Sequence, residues 1–249
     1  MVENSPTGFM GPVSLFSFFE STEDMFMRWN AGSALRILRF ISMILSILLT
    51  PLYVAAVTYQ YGLIPTNLLI TLGTSRAEVP FPPLLETLIL EFMIELLREA
   101  GARLPTKVGQ TMGIVGGIVI GEAAVQAGLT SNILIILVAI SALASFTIPS
   151  YLMSVSFRLI RFPLVILAGM LGILGISLGI VYLIIHLLKM SSLGRPYLAP
   201  LYPWRFKDFN KVFFRTPPQF YSRRFKSYRP KFLFRFSKRE AKAKHDNRD

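Results

Sequence analysis

The segment PFPPLLETLILEFMIELLREAG, Pro80 to Gly101, decides how the chain is read. Pro80, Pro82 and Pro83 suit a helix start, where the first amides lack partners anyway, and Gly101 followed by Pro105 suits a stop. At about 100° per residue, Thr87, Glu91, Glu95 and Arg98 fall within about 80° of one another, while Leu85, Ile89, Phe92, Met93 and Leu96 gather on the far side. The spacing predicts an amphipathic helix over about 83–100 with a carboxylate edge.

What surrounds that edge determines its cost, because a charge facing hydrocarbon is penalised by about 2.5 to 3.5 kcal/mol on insertion scales. Upstream, Phe40 to Tyr59 carries no charge over the roughly 20 residues needed to cross about 30 Å of hydrocarbon. Downstream, Val108 to Leu129 contains Glu122 as its one charge, and Ile133 to Tyr151 and Phe162 to Ile185 contain none. The chain is 53% apolar and 16% charged, and the apolar residues come in blocks rather than scattered as in a soluble core. The expected fold class is an all-α integral membrane protein, with about four transmembrane helices at about 40–61, 108–129, 131–157 and 162–188. The 83–100 helix is then amphipathic or re-entrant, within a membrane domain of residues 40–188.

Residues 1–39 mix aromatics and acids, predicting an interfacial leader in which Ser21 or Thr22 caps a short turn. They lack the basic start and small-residue cleavage site of a secretory signal peptide. Arg28, Arg36 and Arg39 precede the first span, and the charge rule places both termini in the cytoplasm, with an even number of crossings. The same topology puts Arg158 and Arg161 outside, between the last two spans, against that rule, along with Arg98, Arg103 and Lys107.

The last segment, 189–249, holds seventeen Lys and Arg against four acids, so it carries +13 of a total of +12 and the rest sums to about −1. Its cations alternate with Phe, Tyr and Trp, and six prolines prevent one continuous helix. Single-stranded nucleic acid would suit this composition, but a tail attached to a last span suits anionic lipid better, each cation adding about 1 kcal/mol near the surface. A basic aromatic cytoplasmic tail bound to anionic lipid, with no nucleic acid, is the expectation.

Within 108–129 a small-residue edge recurs: Gly109, Gly113, Gly117 and Gly121 at intervals of four, with Ala124 returning to the same side. Such an edge lets a second helix approach to backbone contact, whether in an oligomer or within the chain. Glu122 lies roughly 160° from its centre, so the helix docked there cannot shelter the carboxylate, and Gln126 at i+4 is placed to donate to it. An intramembrane acid marks a functional site or is held neutral against a carbonyl. Glu91, Glu95, Glu122 and Gln126 are therefore the candidate ion-path residues. A second glycine group, Gly169, Gly172, Gly175 and Gly179, reads as packing.

Catalysis has little support. There is no cysteine, His186 and His245 have no ligand-spaced partner, and the glycines follow no strand and precede no Lys-Ser or Lys-Thr pair. No catalytic residue, metal or cofactor is expected.

Five runs carry a resemblance: NSPTGFMGPVSLFSFFESTEDMFMRW, FPPLLETLILEFMIELLREAGARLP, VGQTMGIVGGIVIGEAAVQAGL, SFTIPSYLMSVSFRLIRFPL and GRPYLAPLYPWRFKD. Together they closely resemble the membrane half of the A subunits of GerA-type spore germination receptors. The resemblance implies a protein of the inner membrane of a bacterial spore, working with a transporter-like B subunit that senses nutrients and a lipoprotein C subunit. It further implies a ring-shaped homo-oligomer that releases cations when germinant binds. Such A subunits carry a large soluble amino-terminal domain, which this sequence is expected to lack. The alternatives are a secondary transporter, disfavoured by the absence of a visible internal repeat, and a non-conducting scaffold for germination partners.

Overall fold

The computed structural model describes residues 11–105, 116, 117, 119 and 121–203. Helix dominates: α1 is Trp29–Thr58, α2 Thr66–Arg76, α3 Pro83–Arg103, α4 Asn132–Phe146, α5 Tyr151–Leu171 and α6 Ile173–Lys189. Residues 116, 117, 119 and 121–126 are also helical. The 83–100 helix forms where the prolines place it, with Pro83 in the first turn and an extended residue, Pro82, ahead of it.

The chain divides into two compact units, Met1–Ile41 with Tyr182–Asp249, and Ser42–Val181. In the first, short 3₁₀ turns at Leu15–Phe19 and Thr22–Met25 precede α1. Ser21 caps the second turn, its hydroxyl accepting from the Glu23 amide at 3.4 Å, while Asp24 accepts from the Ser21 amide at 3.2 Å. Asp24 also takes both ends of the Arg39 guanidinium, at 2.5 and 2.8 Å, and Arg39 donates to the Phe19 carbonyl at 3.0 Å. Phe19 stacks on Phe40 with ring centroids 4.7 Å apart. Beyond α6, Ser191–Ser192 and Arg195–Pro196 pair as a two-stranded antiparallel hairpin turning at Leu193 and Gly194, both at positive φ. The leader is stitched to this hairpin by Val13 N–H to Ser192 Oγ, 3.2 Å, and Leu15 N–H to the Tyr197 carbonyl, 2.9 Å.

In the second unit α3 packs against α4 and α5, and α2 against α4. The core gathers Tyr53, Val54, Leu72, Leu90, Leu134 and Val165 around this junction. What is unusual is the distribution of polarity. On α3, Glu86 and Glu91 are 1% and 3% exposed, whereas Phe92 and Leu96 are 58% and 54% exposed. The same inversion holds on α1, which buries Ser42, Ser46 and Thr50 and exposes Ile41, Ile44 and Leu52. On α5, Ser154, Arg158 and Arg161 are buried and Leu152, Leu159 and Met170 exposed.

Among the described residues two helices, α1 and α5, are long and apolar enough to cross a membrane, and α4 and α6 are shorter apolar helices. The helix boundaries depart from the expected spans. The 131–157 span is divided: α4 ends at Phe146, and α5 begins at Tyr151. Pro149 lies in the break, where its missing amide and its restriction of Ile148 disfavour helix. The 162–188 span is divided too, at Gly172, where φ of +62° and ψ of −140° end α5 in a conformation that glycine alone adopts readily. A Cβ at Gly172 would stand 2.8 Å from Gln60 Nε2. Arg158 and Arg161, expected in a connection, therefore lie within α5, which continues through Pro163. Residues 108–115, 118 and 120 of the expected span at 108–129, and the 189–249 tail beyond residue 203, fall outside the described residues.

Candidate functional site

The buried polar residues of the second unit recur at helical intervals, so each helix turns one polar edge inward. Ser42, Ser46 and Thr50 are spaced by four on α1; Ser141 and Ser145 by four on α4; Ser154, Arg158 and Arg161 by four and three on α5. Against them stands the α3 edge of Thr87, Glu91, Glu95 and Arg98.

Arg161 and Glu91 form the centre. Arg161 Nη1 lies 3.4 Å from Glu91 Oε1 and donates to Ser141 Oγ at 2.9 Å; its Nη2 donates to Ser46 Oγ at 3.1 Å. Thr50 Oγ1 donates to the same Glu91 oxygen at 2.6 Å. Four helices thus meet at one ion pair, with both side chains almost wholly buried. A pair so placed survives only because hydroxyls complete its coordination, since desolvating two charges otherwise exceeds their mutual attraction. Glu91 Oε2 and the Nε atoms of Arg158 and Arg161 are buried without a hydrogen-bond partner among the described residues.

One turn further along α3, Glu95 is shared. Arg158 Nη2 is 3.3 Å from Glu95 Oε1 and Arg98 Nη1 3.6 Å from Oε2. Arg98 also donates to the Ala142 carbonyl at 3.4 Å and sits 4.4 Å above the Phe146 ring. Three guanidinium groups therefore meet two carboxylates, and the acid edge read from the sequence is neutralised within the chain. The sequence reading did not find these partners. The signal was the repeat of hydroxyls every fourth residue in otherwise apolar helices, together with two arginines three apart beside a proline that does not break its helix.

A second buried acid, Glu86, clasps the start of α4. Its Oε1 accepts from the Ser131 amide at 2.7 Å and the Thr130 hydroxyl at 3.1 Å, and its Oε2 is 2.9 Å from Arg76 Nη1. Arg76 in turn donates to the Tyr53 hydroxyl at 3.3 Å. The carboxylate serves as a cap borrowed from another helix, satisfying an amide at a helix start and matching the positive end of its dipole.

Glu122 and Gln126 lie apart from both clusters. They are exposed in the single chain, and Gln126 Nε2 donates to Glu122 Oε1 at 3.2 Å. A Cβ built at Gly117 or Gly121 would meet nothing within 4 Å among the described residues, whereas Ala124 is buried. Gly109 and Gly113 lie outside the described residues. No group of three or more His, Cys, Asp or Glu able to hold a metal occurs among the described residues.

Residues 1–227 match the family profile described as Bacillus/Clostridium GerA spore germination protein. The chain belongs to the GerA family. Among the relatives of this GerA-family chain is spore germination protein GerQA of Bacillus cereus, 54% identical over 239 residues, covering 96% of the chain and 48% of the relative. Spore germination protein GerIA of Bacillus cereus is 56% identical over 216 residues, 87% of the chain and 32% of the relative. A relative from Bacillus subtilis (strain 168), called uncharacterized membrane protein YfkQ, is 40% identical over 215 residues, 86% of the chain and 42% of the relative. The GerA-family chain thus spans about half or less of the length of these relatives. No solved structure matches it.

Proposed function

We propose that this chain is the membrane-embedded part of a spore germination receptor, integral to the inner membrane of the spore. The observation that carries the membrane reading is the inversion of α3, on which Glu86 and Glu91 are buried while Leu85, Ile89, Phe92 and Leu96 are exposed. In water that arrangement places polar groups where they cost most and apolar groups where burial would help most. In lipid both choices are favourable, because the apolar face meets acyl chains and the charges meet each other. The helix between the first and second expected spans is accordingly embedded with the bundle, its acid edge turned to protein.

Family membership supports a role in spore germination, and the partners follow as part of the proposal: a transporter-like B subunit, a lipoprotein C subunit and further copies of this chain. Gly117 and Gly121, open in the single chain, offer the edge along which a second copy packs, and Glu122 and Gln126 then face the water or protein of the assembly. The function is to contribute an oligomeric cation-release path, with Glu91, Glu95 and Glu122 as its acids. The Arg161 and Arg158 pairings describe a state in which two of these acids are held by counter-charges. The basic tail binds anionic lipid.

Reconstitution in liposomes with electrical recording tests this reading. A channel gives unitary cation currents that fall when Glu91, Glu95 and Glu122 are all replaced by Gln. Saturable coupled flux would assign a secondary transporter instead, and absence of both with normal insertion would assign a scaffold.

A further inference from the structure

The coordination of Arg161 is that of a cation rather than of a simple salt bridge. Its two terminal nitrogens are met by oxygen alone: the Glu91 carboxylate at 3.4 Å and the hydroxyls of Ser141 and Ser46 at 2.9 and 3.1 Å. Thr50 adds a third hydroxyl, 2.6 Å from the same Glu91 oxygen. Ser46, Thr50 and Ser141 are wholly buried, on two different helices, and converge on one ion pair, Thr50 on the Glu91 carboxylate and the two serines on the Arg161 guanidinium. If packing alone mattered here, apolar side chains of similar volume would serve as well without the cost of burying polar groups. The second Glu91 oxygen is buried with no hydrogen-bond partner among the described residues, so the cage has coordinating capacity the guanidinium does not use.

We propose that Ser46, Thr50, Glu91 and Ser141 form a monovalent-cation site that Arg161 fills with its own tethered charge. Hard cations take oxygen ligands, and a filter or site works by replacing hydration oxygens with protein ones. The charge count selects the valence. One carboxylate among neutral hydroxyls balances one positive charge, whereas a divalent ion would leave an uncompensated charge in a dry interior. When Arg161 occupies the cage the ion is excluded; when it leaves, the cage is charge-matched to K⁺ or Na⁺. The proposal rests on the ion-path reading for its biological sense, but its test reads ion binding and not conduction, so either can fail alone.

The experiment is thermal unfolding of the purified full chain in detergent, in KCl, NaCl or choline chloride at equal ionic strength. An ion that binds only the folded state raises Tm by mass action. Arg161→Gln, which keeps polar reach but vacates the charge, is expected to show a Tm higher by at least about 2 °C in KCl or NaCl than in choline chloride. Wild type and Arg161→Lys, whose ammonium fills the cage in place of the guanidinium, are expected to show no such difference. Arg161→Gln with Glu91→Gln is expected to lose it. If Arg161→Gln does not fold in choline chloride, the proposal requires that K⁺ or Na⁺ restore folding. The proposal is overturned if Arg161→Gln behaves alike in all three salts, folded or unfolded. It is equally overturned if wild type or Arg161→Lys responds to K⁺ or Na⁺ as strongly as Arg161→Gln.

Discussion

Arg161 on α5 reaches Glu91 on α3 across 70 residues of sequence, and the two meet at 3.4 Å inside a ring of hydroxyls from α1 and α4. This contact ties together helices that chain connectivity alone would leave free to slide. Removing one partner leaves the other buried and uncompensated.

Glu91→Ala is therefore expected to destabilise the folded chain by about 3–5 kcal/mol, the usual cost of stranding one member of a buried pair. The double variant Glu91→Met with Arg161→Met removes both charges and supplies apolar volume, and is expected to recover at least half of that loss. Denaturant titration in detergent micelles measures both. If the double variant loses the sum of what Glu91→Met and Arg161→Met lose singly, the pair is not coupled.

The Glu86 clasp gives a more local prediction. Its carboxylate satisfies the Ser131 amide at the start of α4 and pairs with Arg76. Glu86→Ala leaves a buried amide and a half-buried guanidinium without that partner, at a cost of about 1–3 kcal/mol for the unsatisfied donor. Hydrogen exchange is expected to quicken first at Ser131 and through the opening turn of α4, with α1 protected as before. Uniform loss of protection across the bundle would show that Glu86 has no special hold on α4.

How far these contacts were legible beforehand follows from what each depends on. The 83–100 helix was readable because proline and glycine act locally, and its two faces were readable because helix period is fixed. The uncharged run from Phe40 to Tyr59 announced a long apolar helix, but not that α1 begins at Trp29 and takes in Arg36 and Arg39 from the expected leader. The break points were not: Pro163 lies within α5, while Gly172 and Pro149 end helices, a choice made by surrounding packing rather than by the residues themselves. Read as the end of a span, local charge puts Arg158 and Arg161 in a connection, whereas both lie within α5. Their burial depends on Glu91 and Glu95 arriving from a helix some 60 to 70 residues earlier, which no local pattern records. The hairpin after α6 was missed because two-residue strands carry no periodicity.

Asp24 provides a pH-dependent handle in the other unit. Burial alone would push its carboxyl up, but the hydrogen bonds from Arg39 and from the Ser21 amide, with the charges of Arg39 and Arg36, hold it below the ordinary 3.8. A carboxyl more acidic when folded binds fewer protons than the unfolded state, so its stabilising contribution is complete above about pH 4 and is lost as pH falls through the lowered value. Asp24→Asn is expected to lower Tm near neutrality and to leave it unchanged once Asp24 itself is protonated. Tm of both proteins measured from pH 7 down to pH 2.5 checks this; a gap that widens on acidification would contradict the assignment.

The central claim is that α3 turns its charged edge to protein and its apolar face to lipid. The chain has no cysteine, so a single spin label can be placed at Phe92→Cys or Leu96→Cys without removing any native thiol. In reconstituted bilayers, collision with dissolved oxygen and with a water-soluble nickel chelate should then report the surroundings of each label. The account predicts high oxygen and low nickel accessibility at both positions, as for labels in acyl chains. High nickel accessibility at both, in protein shown to be inserted, would contradict it.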